Sequence, residues 1–318
     1  DFIKDLSASI NKSLPSKDTF YLTNDIKSSM NKGMYKKKFD SVKNYLRMGD
    51  CYQVNISKKY RVESKGDTRI LYKKYRNINK SPFMADIKFD DITLLSGSPE
   101  RFIKSDSNIV TTRPIKGTAA RQSKKVDDDK KKEILHNSVK EKAENLMIVD
   151  LLRNDLGVNC KIGSIKVDEL FTVESYPNVH HLVSSISGIL KDKSSIYKLF
   201  RDAFPGGSIT GAPKKRAMEI IDELENHARD LYCGSVVYFS FDGKLDSNIA
   251  IRSMIHKNNT LHFYSGGGLT IQSSMESEYQ EIEDKVNNIK KTLLYFNEDE
   301  WCLTKMKLTV SLINSMVG

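Results

Sequence analysis

The chain has 318 residues, enough for one large core or two ordinary domains, and its 39% apolar and 29% charged residues, with 14 Tyr and 13 Phe, exclude a disordered chain. Only 17 Gly and 7 Pro exclude a collagen-like or linker composition, and no apolar run reaches the roughly 18 residues that cross a bilayer. The net charge of +10 (51 Lys and Arg against 41 Asp and Glu) suits an anionic metabolite; it sits in dispersed runs such as Lys36–Lys38 and Lys130–Lys132, read as solvated faces, so no nucleic-acid role is expected.

Residues 1–34 are polar and weakly patterned and read as the remnant of an upstream N-terminal region. From Tyr35 to Met48, Phe39, Val42, Tyr45 and Leu46 recur at helical spacing, and Gly49 closes the helix. Tyr52, Val54 and Ile56 alternate as a strand. Residues 92–113 read as a β-hairpin and 122–136 as a loop or an exposed helix entry. A mostly buried helix follows over 139–155, with strands at 171–175 and 182–190 and a bulge at Gly188. A helix over 195–204 is broken by Pro205-Gly206-Gly207, and another starts at Pro213. Residues 233–265 read as a three-stranded meander, and Met275 to Leu293 as one long amphipathic helix. Strands and helices mix without regular βαβ alternation, which predicts an α+β fold with one large domain over 35–296 and a C-terminal extension over 297–318 of unknown role. The four cysteines, Cys51, Cys160, Cys233 and Cys302, form no CxxC pair, so neither zinc nor a disulfide framework is indicated and a cytoplasmic setting is expected.

Two carboxylate pairs stand out. Glu141 with Glu144, and Glu278 with Glu281, are spaced i, i+3, which puts each pair on one side of its helix. Two such helices facing each other make an oxygen cage that suits Mg²⁺, and Lys285 continues the second face; surface charge is the plain alternative. The run Gly266-Gly267-Gly268, between a strand and a helix, lets backbone amides approach an anion, or makes a tight turn. In the loop Pro205–Lys214, Ser208 or Thr210 either caps the next helix or holds a substrate oxygen. Lys116, between Pro114 and Gly117, sits on constrained backbone and becomes a nucleophile or base if desolvated near other cations; otherwise it is an exposed loop lysine. Glu100 across the same hairpin is a candidate general acid or an ion-pair partner. His180 and His181 point to opposite strand faces, so one of them at a pocket is plausible and two metal ligands are not. Tyr238 and Arg252 on neighbouring meander strands bracket a carboxylate, or are ordinary core and surface residues.

In chain order, the segments Gly49–Asn55, Ser98–Phe102, Pro114–Thr118 (PIKGT), Glu144–Asp155 (ENLMIVDLLRND), His181–Ser184 (HLVS), Pro205–Lys214 (PGGSITGAPK) and Tyr279–Glu281 resemble the chorismate-utilising enzyme family over about residues 35–294. Lys116 in PIKGT, together with Gln53 where isochorismate and salicylate synthases place a lysine, resembles the aminodeoxychorismate synthase branch; anthranilate synthases have alanine at the PIKGT lysine. Members of the family carry a further upstream stretch that completes the fold, of which this chain is expected to hold only part.

The resemblance implies antiparallel β-sheets packed face to face with helices outside, and amination of chorismate to 4-amino-4-deoxychorismate on the route to 4-aminobenzoate and folate. It implies Mg²⁺ held by Glu144 and Glu281 with Glu141 and Glu278, and bound to the ring carboxylate. Tyr238, Arg252 and Gly266, Gly267 and Gly268 are implied to hold the enolpyruvyl carboxylate, with Thr118, His181, Ser208 and Lys285 lining the pocket. Lys116 is implied as the nucleophile at C2 and Glu100 as the acid at the C4 hydroxyl. Ammonia is expected from a separate glutamine amidotransferase subunit, since no candidate cysteine elbow occurs here. Isochorismate or anthranilate formation is the rival enzymatic reading.

Overall fold

The computed structural model describes residues 19–176, 179–191 and 196–297. Two antiparallel sheets carry the architecture. Numbered in chain order, the eight-stranded sheet holds β1 (Phe20–Leu22), β2 (Lys27–Ser28), β3 (Gln53–Gly66), β4 (Phe83–Phe89), β5 (Ile92–Ser98), β11 (Gly211–Ala212), β14 (Ser253–Lys257) and β15 (Thr260–Thr270). Its main order is β1-β3-β15-β14-β5-β4, with β2 and β11 also on β3. The seven-stranded sheet holds β6 (Arg101–Asp106), β7 (Ile109–Thr112), β8 (Ile115–Ala120), β9 (Lys166–Ser175), β10 (Val179–Ile189), β12 (Val237–Phe239) and β13 (Leu245–Asn248). Its order is β12-β13-β6-β7-β10-β8, with β9 also on β10.

One core cluster joins the sheets: Leu94, Ile255 and Tyr264 from the first meet Phe102, Ile103, Val110, Ile186 and Leu245 from the second. That is face-to-face packing of two inner faces. Helices α1 (Lys32–Met48), α2 (Thr68–Asn79), α3 (Lys125–Asn137), α4 (Val139–Gly157), α5 (Ile196–Ala203), α6 (Lys214–Leu224), α7 (Met275–Lys285) and α8 (Asn287–Leu294) complete the fold. α1, α6 and α7 share one cluster with Val54, Ile56 and Leu269 of the first sheet, while α2 and α8 share another with Tyr60, Val62 and Phe263. α4 and α5 join the inter-sheet core through Ile148, Leu152 and Leu199. Among the described residues no helix is long and apolar enough to cross a membrane.

The local signals hold where they are complete. Gly49 ends α1 at φ 80° as expected, whereas the helix starts before Tyr35, at Lys32, where Asn31 caps it by accepting from the Met34 amide. Several expectations change. Phe20 and Leu22, in the stretch that lacks a sequence pattern, are buried and pair with the far end of β3. β3 runs past Ile56 to Gly66 with strands paired along both edges; Val54 and Ile56 pack into the cluster with α1, α6 and α7 while Gln53, Asn55 and Ser57 between them are buried too, so the alternation is lost, and Tyr52 lies outside it, exposed. Residues 68–79 form an unanticipated helix, and of the two readings of 122–136 the helical one holds, over 125–137.

The 92–113 hairpin is divided: β5 belongs to one sheet and β6–β7 to the other, with the crossing at Pro99-Glu100. The expected meander is likewise two hairpins in two sheets, β12–β13 and β14–β15. Gly188 is no bulge. The irregularities in β10 fall between His181 and Ile186, and Gly188 is small because a Cβ there would stand 2.8 Å from Cys160 Sγ. The long C-terminal helix breaks at Val286, where α7 packed near α1 gives way to α8 packed near α2. Residues 1–18, most of the 297–318 extension and Cys302 lie outside the described residues.

Candidate active site

Lys116 is held by a turn of backbone that only glycine tolerates well. Gly117 has φ +87°, and a Cβ on it would come within 3.0 Å of both Glu141 Oε2 and Leu135 Cδ1. β8 therefore lies close against α4, and Lys116 Nζ stands 3.9 Å from Glu144 Oε2 with only 15% of its side chain exposed. Thr118 and His181 are cross-strand partners on β8 and β10, with Oγ1 and Nδ1 3.0 Å apart. Burial, then the nearby Arg252 guanidinium, push the His181 imidazole down to about 4, so it is neutral near pH 7. His180 faces the other way, toward Ser175 and Asp128, and the two histidines share no site.

Glu100 sits at the crossing between the sheets, 6% exposed. Ser208 Oγ donates to its Oε1 at 3.0 Å, and the Ile115 amide also donates to it. Burial outweighs these bonds and the positive charges of Lys116 and Lys285, and raises the carboxyl to about 7. It is therefore an acid of which about half still carries its proton near neutrality. Ser208 reaches it because residues 207–209 form a 3₁₀ turn. Neither Ser208 nor Thr210 caps α6: Thr210 Oγ1 donates to the Gly206 carbonyl, and the capping position is Pro213.

The carboxylate pairs converge from two helices. Ser138 caps α4, placing Glu141 and Glu144 in its first two turns, and Ser274 caps α7, placing Glu278 and Glu281 likewise. Glu278 is buried, accepts from Ser273 Oγ at 2.7 Å, and lies 3.3 Å from where a Gly267 Cβ would stand. Glu281 pairs with Lys285 at 2.6 Å, and Lys285 Nζ also donates to the Gly266 carbonyl at 3.0 Å. Lys140 reaches both Glu144 (3.8 Å) and Glu278 (3.4 Å). Burial first, and then the neighbouring carboxylates, raise Glu141 and Glu144, although lysines counter them. At Glu281 burial acts upward, but the Lys285 ammonium holds the group below its usual range.

Among the described residues no three acidic or imidazole side chains stand together closely enough to hold a metal ion unaided. The donor set nevertheless fits a hard divalent cation completed by water or substrate oxygens. Glu144 Oε1 is buried without a hydrogen-bond partner, and the four carboxylates feel one another's charge.

Gly266, Gly267 and Gly268 are not a loop; they lie inside β15. The β14 ladder on β15 ends at Phe263, while β3 continues to Thr270. The glycine stretch thus has one open edge, onto which the Gly266 carbonyl faces Lys285. The absent side chains admit close neighbours: a Cβ on Gly266 would meet Asn55 Oδ1 at 2.6 Å and Tyr232 Oη at 3.0 Å, and one on Gly268 would meet the Gln53 amide at 2.9 Å. Gln53 is fully buried with both amide atoms unpartnered.

Arg252, at φ 49°, has no ion-pair partner among the described residues and lies within electrostatic reach of Glu100 and His181. Tyr238 is not brought to this group. It lies on the short strand β12, 59% exposed, because β12 and β14 belong to different sheets. The buried tyrosine beside the glycines is Tyr232, stacked on Tyr264 at 5.1 Å. Sequence reading missed it, along with Asn55 and Lys140. Tyr232 lies in a loop without periodicity, and Lys140 looks like any first-turn lysine.

A two-sheet α+β core that gathers a buried acid of raised pKa, an amine, four carboxylates and a glycine-lined strand edge defines a small-molecule enzyme site for an anionic substrate. Residues 1–291 match the family model of the chorismate binding enzymes, and the chain belongs to that family. It is 48% identical over 276 residues to aminodeoxychorismate synthase component 1 of Escherichia coli (strain K12), covering 87% of this chain and 61% of that protein. Anthranilate synthase component 1 of Saccharolobus solfataricus is 41% identical over 265 residues, 83% of this chain and 63% of that one. The crystal structure of anthranilate synthase component I from Streptococcus pneumoniae TIGR4 superposes with a TM-score of 0.79 at 30% identity, covering 90% of this chain and 65% of that one. The chain spans less than two thirds of the length of each of these relatives.

Proposed function

We propose that this chain aminates chorismate to 4-amino-4-deoxychorismate, using ammonia from a separate glutamine amidotransferase subunit, in the cytoplasmic synthesis of 4-aminobenzoate and folate. The observation that carries the reading is Lys116, largely buried beside Glu144 and within electrostatic reach of a Glu100 whose carboxyl is raised to about 7. Similarity to aminodeoxychorismate synthase component 1 supports the same choice. Anthranilate and isochorismate formation remain the alternative outcomes of the assay below.

In this reading the Lys116 nitrogen adds through its lone pair to C2 of the ring. The ring double bond shifts, and the C4–O bond breaks as Glu100 gives its proton to the departing hydroxyl, which leaves as water. Ammonia then adds at C4, the double bond shifts back, and the C2–N bond breaks. Lys116 leaves as it arrived, and the proton that ammonia sheds restores the Glu100 acid. Arg252 and the open edge at Gly266–Gly268 hold the enolpyruvyl carboxylate, with Tyr232 beside them in place of Tyr238. Thr118 and neutral His181 line the ring, and Ser208 holds Glu100 in place. Mg²⁺ held by Glu141, Glu144, Glu278 and Glu281 would supply positive charge for the ring carboxylate.

The test is incubation with chorismate, Mg²⁺ and ammonium, with chromatography of the products. Aminodeoxychorismate is expected. Isochorismate or anthranilate as the main product overturns the assignment.

A further inference from the structure

Three lysines stand among the four carboxylates, and they do different things. Lys116 contacts Glu144 and Lys285 contacts Glu281, each within one carboxylate pair. Lys140 alone among the described ion pairs crosses from α4 to α7: its Nζ is 3.8 Å from Glu144 Oε1 and 3.4 Å from Glu278 Oε1. Glu144 Oε1 is the buried oxygen with no hydrogen-bond partner, so the ammonium stands near it without satisfying it.

The position is also unfavourable for a lysine on helical grounds. Lys140 is in the first turn of α4, where the positive end of the helix repels a cation. The acidic groups therefore hold it there. Its side chain is 37% exposed, which leaves it a path to solvent.

We propose that Lys140 is a tethered counter-ion that bridges the two carboxylate helices when no divalent cation is bound, and that cation binding displaces it. Lys140 is then a positioning residue that sets the affinity of the site for Mg²⁺. The inference rests on reading the four carboxylates as a divalent-cation site. It follows from competition, because an ammonium and a divalent cation that draw on the same carboxylates repel each other and compete for them.

Titration calorimetry of Mg²⁺ into the substrate-free protein tests this. Lys140→Met and Lys140→Gln should bind Mg²⁺ about fivefold more tightly than wild type, the size expected for losing two partly exposed ion pairs. In EDTA both variants should unfold at a lower temperature than wild type, and Mg²⁺ should close the gap. Affinity unchanged or weakened in both variants overturns the inference. Should neither variant fold, the wild type decides: acetylation of the Lys140 amine, mapped by peptide mass spectrometry, should rise on adding Mg²⁺, and an unchanged rate overturns the displacement. A wild type that binds no Mg²⁺ overturns the cation-site reading itself. Binding that is indifferent to Lys140 overturns only the present inference.

Discussion

Glu100 is a weaker acid than an ordinary carboxyl because its burial costs the charged form more than Ser208, Lys116 and Ile115 return. The hydroxyl of Ser208 favours the ionised form, so Ser208→Ala should raise this group further. The falling limb of kcat/KM against pH, expected near 7 in wild type, should move up by about one unit. A pH profile of chorismate amination checks this; an unmoved limb detaches Glu100 from it. The same burial carries a stability cost. The folded pKa is above the unfolded value of 4.5, so the folded state binds more protons between about 4.5 and 7, and stability falls as pH rises through that window. Glu100→Gln removes the penalty. It should gain up to about 3 kcal/mol relative to wild type at pH 8, and little at pH 4.5, in urea unfolding, while losing roughly a hundredfold or more in turnover. A variant equally stable at both pH values contradicts the raised acid.

At the scale of elements, the site is made by close approaches. Gly117 lets β8 press on α4, and the glycines of β15 let Asn55, Tyr232 and Gln53 close in. Gly117→Ala forces a left-handed residue and a 3.0 Å contact with Glu141. It should cost about 1–3 kcal/mol of stability in thermal unfolding, and cut turnover more than that loss explains by moving Lys116. Wild-type stability in this variant would show that the turn is not constrained. Element-level sequence reading worked where the signal is local. The Gly49 end of α1 and the i, i+3 carboxylates are such cases, since caps and helix faces depend on a few adjacent residues, although the Asn31 start of that helix was not read. It failed where partners lie far off in the chain. The 92–113 and 233–265 segments alternate like simple hairpins, yet each divides between two sheets, because alternation says which side of a strand is apolar and nothing about which sheet receives it. Tyr238 was the wrong tyrosine to place beside the glycines for that reason.

For the molecule as a whole, the two sheets and their shared core bring residues from positions 53 to 285 into one site. Order and motif spacing made the family legible, and with it the proposal of Lys116, Glu100 and the four carboxylates as site residues. The lysine that crosses between the carboxylate helices, and the open edge of β15, required three dimensions. In the proposed reaction the Lys116 amine bonds transiently to the substrate ring. Mass spectrometry of peptides from enzyme quenched with chorismate and Mg²⁺, without ammonium, tests it most directly. An adduct of chorismate less one water on the Lys116 peptide, absent in Lys116→Ala, is the predicted result. An adduct on another residue, or full turnover by Lys116→Ala once ammonium is added, would contradict it.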